Sequence, residues 1–191
     1  GDGHIHLALD YPEHHPIARV ERRITGDPSH SKLIFDLLVT PRRDCQLPIG
    51  VHPVLRLPQN PGAARLVLDG ATAAHTYPVD AEPGVSLLPH GRRFDALDKA
   101  EWADGAALDL TSHPLPRQTE EVVLVSGTVG RARLENHDEG YQVALQWDGA
   151  AFSCCNLWIS NRGRSVYPWN NRFQALGIEP VSAPFDLGVD V

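Results

Sequence analysis

Residues 154–161 read CCNLWISN, and apolar and polar side chains alternate along this stretch. Because successive side chains of a β-strand point to opposite faces, Leu157 and Ile159 would share one face and Trp158 would lie on the other. The same two-residue period occurs in HIHLALDY (4–11), KLIFDLLVT (32–40) and YQVALQWD (141–148). We therefore predict a strand at each of these places, and a half-buried strand in the last three.

Further short extended runs are bounded by turn-forming residues. They are ARLVLDG (64–70), EEVVLVSG (120–127), RARLEN (131–136) and NLWIS (156–160). Only RRFDALDKAEWADG (92–105) has a plausible helical turn or two, and 16 glycines and 16 prolines divide the chain into short pieces. Many short strands with this turn chemistry predict an all-β protein, either a β-sandwich or a barrel.

Composition restricts the class of partner. The chain has 191 residues, of which 42% are hydrophobic, so it can bury one core, and we expect a single domain over 1–191. The net charge is −7, and the basic residues are scattered. This argues against nucleic acid and against an anionic membrane as partners, and a small neutral ligand fits better. The sequence does not predict an oligomeric state.

The cysteines and the N-terminal sequence bear on the cellular compartment of the protein. Three cysteines, two of them adjacent, form no disulfide framework or metal-binding Cys pair. No apolar run approaches the ~20 residues of a membrane helix, and no signal peptide is present, so we expect a cytoplasmic protein. The chain begins with Gly1 and contains no methionine, so we expect an N-terminal segment to be missing.

Two histidines near the start raise the possibility of a metal site. His4 and His6 would share one strand face, as in a small β-barrel oxygenase or isomerase of the cupin type. The nearest glutamate, Glu13, comes too late and beyond Pro12. We therefore expect solvent-exposed histidines and no metal.

Two other segments hold a titratable group between stiff, apolar neighbours. In QLPIGVHPVLRLP (46–58), which reads as buried strand, His52 is followed by Pro53. In QALGIEPVSAPFDLG (174–188), Glu179 precedes Pro180. Burial would move a carboxyl pKa toward the range useful for proton transfer. The structural alternative pairs Glu179 with an arginine such as Arg172 and makes His52 a core histidine.

Together, LPIGVHPVLRLP (47–58) and SNRGRSVYPWNNRFQALGIEPVSAPFDLG (160–188) resemble the aldose 1-epimerase (galactose mutarotase-like) superfamily, in particular its bacterial hexose-mutarotase-like branches. The resemblance covers roughly 5–188 and implies a large antiparallel β-sandwich, the galactose mutarotase-like supersandwich, whose concave face binds a free sugar. It implies His52 as general acid on the ring oxygen and Glu179 as general base on the anomeric hydroxyl. Such a pair needs neither metal nor cofactor.

The resemblance also indicates residues that would bind the sugar. An acidic residue before the VVLV strand binds hydroxyls in relatives, and here Glu120, or Glu121 beside it, has that place. Trp158 could stack on a sugar face while Asn156 bonds a hydroxyl. In addition, two residues of the PWNNR stretch could close the pocket: Trp169 and Arg172.

The sequence therefore predicts a cofactor-free aldose 1-epimerase that interconverts sugar anomers. The alternative is a non-catalytic carbohydrate-binding or sensing domain on the same fold, and a third is the metal-dependent isomerase that would use His4 and His6. Relatives carry several strands before the position of Gly1. Either a segment is missing, or this is a shortened homologue with an incomplete cleft.

Overall fold

The computed structural model describes residues 3–184, and the chain divides into two compact units, Gly1–Leu47 and Pro48–Val191. We describe each unit by itself, and the single domain over 1–191 stays a prediction. The last part of the 174–188 segment, residues 185–188, lies outside the described residues.

The N-terminal unit contains one antiparallel sheet of three strands in the order β1-β2-β3. Its strands are β1 (His4–Asp10), β2 (Ile17–Gly26) and β3 (Leu33–Pro41). The alternating sequences at 4–11 and 32–40 do form strands, as predicted. Pairing of Ile5 with Ile24, and of Ile24 with Phe35, places these three side chains on one face of the sheet.

The expected half-burial of these strands is wrong. Ile5, Leu7 and Leu9 are 58%, 54% and 60% exposed. Alternation predicts which side chains share a face, but burial also requires a second layer over that face. Within the described part of this unit, no second sheet or helix supplies that layer.

The C-terminal unit contains the remaining strands. They are β4 (Val54–Arg56), β5 (Ala64–Leu68), β6 (Ala73–Thr76), β7 (Arg93–Phe94), β8 (Ala100–Glu101), β9 (Ala107–Leu108), β10 (Ser112–His113), β11 (Thr119–Ser126), β12 (Arg131–Asn136), β13 (Tyr141–Gln146), β14 (Cys154–Asn161) and β15 (Gln174–Val181). They form a four-stranded sheet, β10-β5-β12-β13, a six-stranded sheet, β4-β15-β14-β11-β6-β7, and the pair β8-β9. All neighbouring strands in these sheets are antiparallel.

One hydrophobic core lies between the two larger sheets. Residues of both sheets belong to one buried cluster. Leu66 and Leu134 come from the four-stranded sheet. Val123, Leu157 and Ile178 come from the six-stranded sheet. Each sheet buries alternate side chains against the other, which is the packing of a β-sandwich. The other face of the six-stranded sheet is therefore available for polar groups.

Helical structure is minimal. Between residues 3 and 184 the only helix is a single 3-10 turn, Leu97–Lys99, inside the one segment predicted to have helical turns. Among these residues, no helix has the length and apolar character needed to cross a membrane. The predicted all-β antiparallel sandwich is confirmed.

Candidate active site

The polar residues highlighted by the sequence lie together on the outer face of the six-stranded sheet. In the strand register, Glu120 of β11 is opposite Ser160 of β14, and Asn156 of β14 is opposite Glu179 of β15. Paired residues of neighbouring strands point to the same face, and so do residues two apart along a strand. Trp158 therefore lies between Asn156 and Ser160 on this face, as the alternation in 154–161 predicts.

His52 reaches this face from the chain segment that precedes β4. The Val51 amide donates to the Pro180 carbonyl and the Ile178 amide donates to the Pro53 carbonyl, each at 3.0 Å. These bonds fix the backbone to β15 on both sides of His52. The expectation of a buried strand is wrong at this position, because His52 lies outside any strand and its side chain is 59% exposed.

His52 and Glu179 are in direct contact. Nδ1 of His52 lies 2.8 Å from Oε1 of Glu179, whose side chain is only 12% exposed. The contact is not directed as a hydrogen bond, and Oε1 has no hydrogen-bond partner among the described residues. Burial raises the pKa of the Glu179 carboxyl, and the neighbouring His52 opposes part of that shift. A shielded carboxyl thus lies beside an accessible imidazole, a suitable pair for moving protons.

Gly177 leaves the space into which the Glu179 carboxyl folds. A β-carbon on Gly177 would lie 2.5 Å from Oε1 of Glu179 and 3.1 Å from the Trp158 β-carbon. Glycine at this position thus lets the carboxyl lie back over β15, toward Trp158.

The structure separates the two adjacent glutamates of β11. Glu120 is fully buried, and its two oxygens accept from Trp158 Nε1 at 2.6 Å and from Ser160 Oγ at 2.9 Å. Glu121 points to the opposite face, where its Oε1 accepts from the Leu87 amide at 2.6 Å. Burial raises the pKa of both carboxyls. Glu120 as a ligand of sugar hydroxyls stays a prediction, and what the structure adds is its bond to the Trp158 indole.

The rings of His52, Trp158 and Phe173 form a row, which we call the aromatic wall. The Trp158 ring centre lies 5.4 Å from that of His52 and 5.8 Å from that of Phe173. Phe173, Trp169, Arg172 and Pro168 line a surface depression of about 420 Å³. Trp169 and Arg172 thus line the same depression, and their role in closing a sugar pocket stays a prediction.

His4 and His6 belong to the N-terminal unit, where His6 Nε2 lies 3.2 Å from Glu21 Oε1. In the part of the chain covered by the structure, no group of three or more His, Cys, Asp or Glu side chains is arranged to hold a metal ion.

The comparisons with known proteins address the fold. No protein-family model matches the chain, and no curated protein sequence matches it. Among solved structures, the chain is similar to a "putative aldose 1-epimerase" from Escherichia coli K12, with 20% sequence identity and a TM-score of 0.63. The chain has an aldose 1-epimerase-like fold. The match covers 95% of this chain and 55% of the other, so the chain spans about half the length of that protein.

Within this aldose 1-epimerase-like fold, the sequence analysis missed two residues at the aromatic wall. Phe173 stacks on Trp158, and the Arg164 guanidinium carbon lies 5.4 Å and 5.0 Å from the ring centres of Trp158 and Trp169. Both residues lie in the irregular segment 162–173, which has no strand period that would indicate where a side chain points. The only sequence signal was their place between two parts of the site, β14 and the Glu179 strand.

Proposed function

We propose that this protein is a cofactor-free aldose 1-epimerase of the mutarotase type, which interconverts the α and β anomers of a hexose or a related sugar. The observation that carries the proposal is the contact between His52 Nδ1 and Glu179 Oε1 beside Trp158. The likeness of the fold to a protein described as a putative aldose 1-epimerase supports it.

The chemistry needs an acid and a base at a single carbon. The anomeric hydroxyl and the ring oxygen are both bonded to C1, so groups that serve them must lie close together. Glu179 takes the proton of the anomeric hydroxyl, the O–H electrons form the C1 carbonyl, and the bond from C1 to the ring oxygen breaks. His52 gives a proton to that ring oxygen. Rotation about the C1–C2 bond and the reverse proton transfers then close the other anomer.

The electrostatics of the pair suit these transfers. Burial raises the pKa of Glu179, so its carboxylate is a stronger base than an exposed glutamate. The side chain of His52 is the more exposed of the two, and a sugar would displace it from Oε1 as the anomeric hydroxyl binds there. Each well-placed acid or base contributes about 10²–10⁴-fold in rate.

The remaining predicted residues would bind the sugar. Trp158 and Trp169 present ring faces for stacking on sugar C–H groups, and Asn156 and Arg172 supply hydrogen-bond donors. Glu120, predicted to bind a sugar hydroxyl, also holds the Trp158 indole by the 2.6 Å hydrogen bond.

Turnover distinguishes an enzyme from the alternative, a non-catalytic carbohydrate-binding or sensing domain. Each of several aldoses is dissolved as a single anomer, and the optical rotation is followed with the intact protein, with heat-denatured protein and with buffer alone. We expect the native protein alone to accelerate the change in rotation for at least one sugar, with and without a chelator. Sugar binding without any acceleration would instead identify a binding domain.

A further inference from the structure

Arg164 connects three parts of the site. Its Nε lies 3.3 Å from Glu120 Oε1 and 3.2 Å from Glu82 Oε2. Its guanidinium also lies near the rings of Trp158 and Trp169, within the distance at which a cation is attracted to an aromatic face. A planar, permanently charged guanidinium is well suited to meet two carboxylates and two indoles at once.

The local backbone brings Arg164 to this position. The Arg162 amide donates to the Phe173 carbonyl and the Asn171 amide donates to the Arg164 carbonyl, so the segment 162–173 closes on itself. A β-carbon on Gly163 would lie 2.7 Å from the Thr119 carbonyl carbon, so glycine permits the close approach to β11. Arg164 follows directly and reaches the buried carboxylate of Glu120.

We propose that Arg164 is a positioning residue of the candidate site, whose guanidinium fixes the plane of the Trp158 indole beside His52 and also contacts the Trp169 ring. Through Glu120, Arg164 also stabilises the charge that accepts the Trp158 Nε1–H. The aromatic wall therefore depends on a residue that need not contact the sugar.

The charges around Glu120 allow this role to be measured. Burial raises the pKa of Glu120 and Glu82 adds to the shift, while Arg164 and the donors on Trp158 and Ser160 oppose it. Loss of the guanidinium would raise the pKa of Glu120 further, because a close positive charge that favours the carboxylate would be gone. The Trp158 indole N–H resonance reports this titration because the N–H donates a hydrogen bond to Glu120 Oε1.

The experiment compares three variants by the indole resonances in ¹H–¹⁵N spectra recorded across pH. In Arg164→Met, we expect the Trp158 titration midpoint to move to a higher pH than in the wild type. Arg164→Lys should retain most of that charge effect while shifting the Trp158 and Trp169 resonances, because an ammonium lacks the planar guanidinium. Arg162→Met is the matched control, since Arg162 Nη2 donates to Gln59 and Gln174 and, among residues 3–184, to no carboxylate.

The outcomes separate the positioning role from the proposed activity. A Trp158 titration in Arg164→Met that matches the wild type or the Arg162→Met control would overturn the positioning role. If Arg164→Met does not fold, unchanged Trp158 and Trp169 resonances in Arg164→Lys would overturn it. The kinetic part rests on the proposed function: Arg164→Met should raise KM about tenfold and change kcat less. A wild-type protein that never exchanges anomers refutes the function and leaves the spectroscopic result to decide the role of Arg164.

Discussion

The indole of Trp158 donates a 2.6 Å hydrogen bond to the fully buried carboxylate of Glu120 on the neighbouring strand. A bond of this kind couples an aromatic surface to an interior charge, because the ring cannot turn without leaving that charge short of a donor. The six-stranded sheet thus also fixes the orientation of an aromatic ring on its outer face.

The Trp158–Glu120 bond predicts the effect of Trp158→Phe. We expect the free energy of unfolding to fall by about 1–3 kcal/mol from loss of the donor, in addition to the smaller ring area. Urea unfolding measures it. Trp147→Phe is the matched control, since Trp147 Nε1 donates at 3.2 Å to a neutral carbonyl, that of Phe152. Equal losses in the two variants would mean that the bond to Glu120 contributes nothing beyond an ordinary hydrogen bond.

The space left by Gly177 predicts a loss of activity with little loss of stability in Gly177→Ala. The new methyl group would lie 2.5 Å from Glu179 Oε1, which is too close, and this flexible carboxyl would move aside. A displacement of about 1 Å costs on the order of 10²-fold in rate. In the control Gly26→Ala, the nearest atom to the new methyl is Leu33 Cδ2 at 3.9 Å, and the rate should not change. Wild-type exchange rates in a folded Gly177→Ala protein would contradict the role given to this carboxyl position.

A buried histidine outside the site predicts acid sensitivity. His113 is fully buried, its Nε2–H donates to the Leu110 carbonyl at 2.9 Å, and its Nδ1 has no partner among the described residues. Burial lowers the pKa of His113 to about 4. The folded protein therefore binds fewer protons here than the unfolded chain does between about pH 6.5 and pH 4, so stability falls as the pH falls through that window.

The variant His113→Gln tests this prediction, because its amide can still donate to Leu110 but does not titrate. Between pH 7.5 and pH 4 the wild type should lose about 3 kcal/mol more unfolding free energy than the variant. Denaturant titrations at the two pH values supply the comparison, and the buried glutamates affect both proteins alike. Parallel pH profiles would show that His113 is not the source of the acid sensitivity.

Alternation in the sequence predicted the faces of β14 correctly. Leu157 and Ile159 lie in the core and Trp158 lies on the outer face, because the period of side chains in a strand is two. The same rule did not predict the burial of β1 correctly, because alternation does not show whether a second layer covers a face of the sheet.

Contacts distant in the sequence account for what could not be predicted. Glu121 accepts from the Leu87 amide, which lies on a separate segment, so the sequence does not show this contact. Arg164 and Phe173 lie in an irregular segment whose path is set by its own backbone bonds. The family resemblance suggested that His52 and Glu179 lie close together. The alternation of apolar and polar residues could not have predicted this, because the two residues are far apart in the sequence.

The most direct test of the central claim is the rate of anomer exchange in His52→Asn and Glu179→Gln beside the wild type. Magnetisation exchange between the two anomeric protons of a sugar measures that rate at equilibrium. We predict that each variant, with a native far-ultraviolet spectrum, loses the acceleration by about 10²-fold or more, as expected when an acid or a base is removed. Exchange at the wild-type rate in both folded variants would contradict the assignment of this imidazole and carboxyl as the reacting pair.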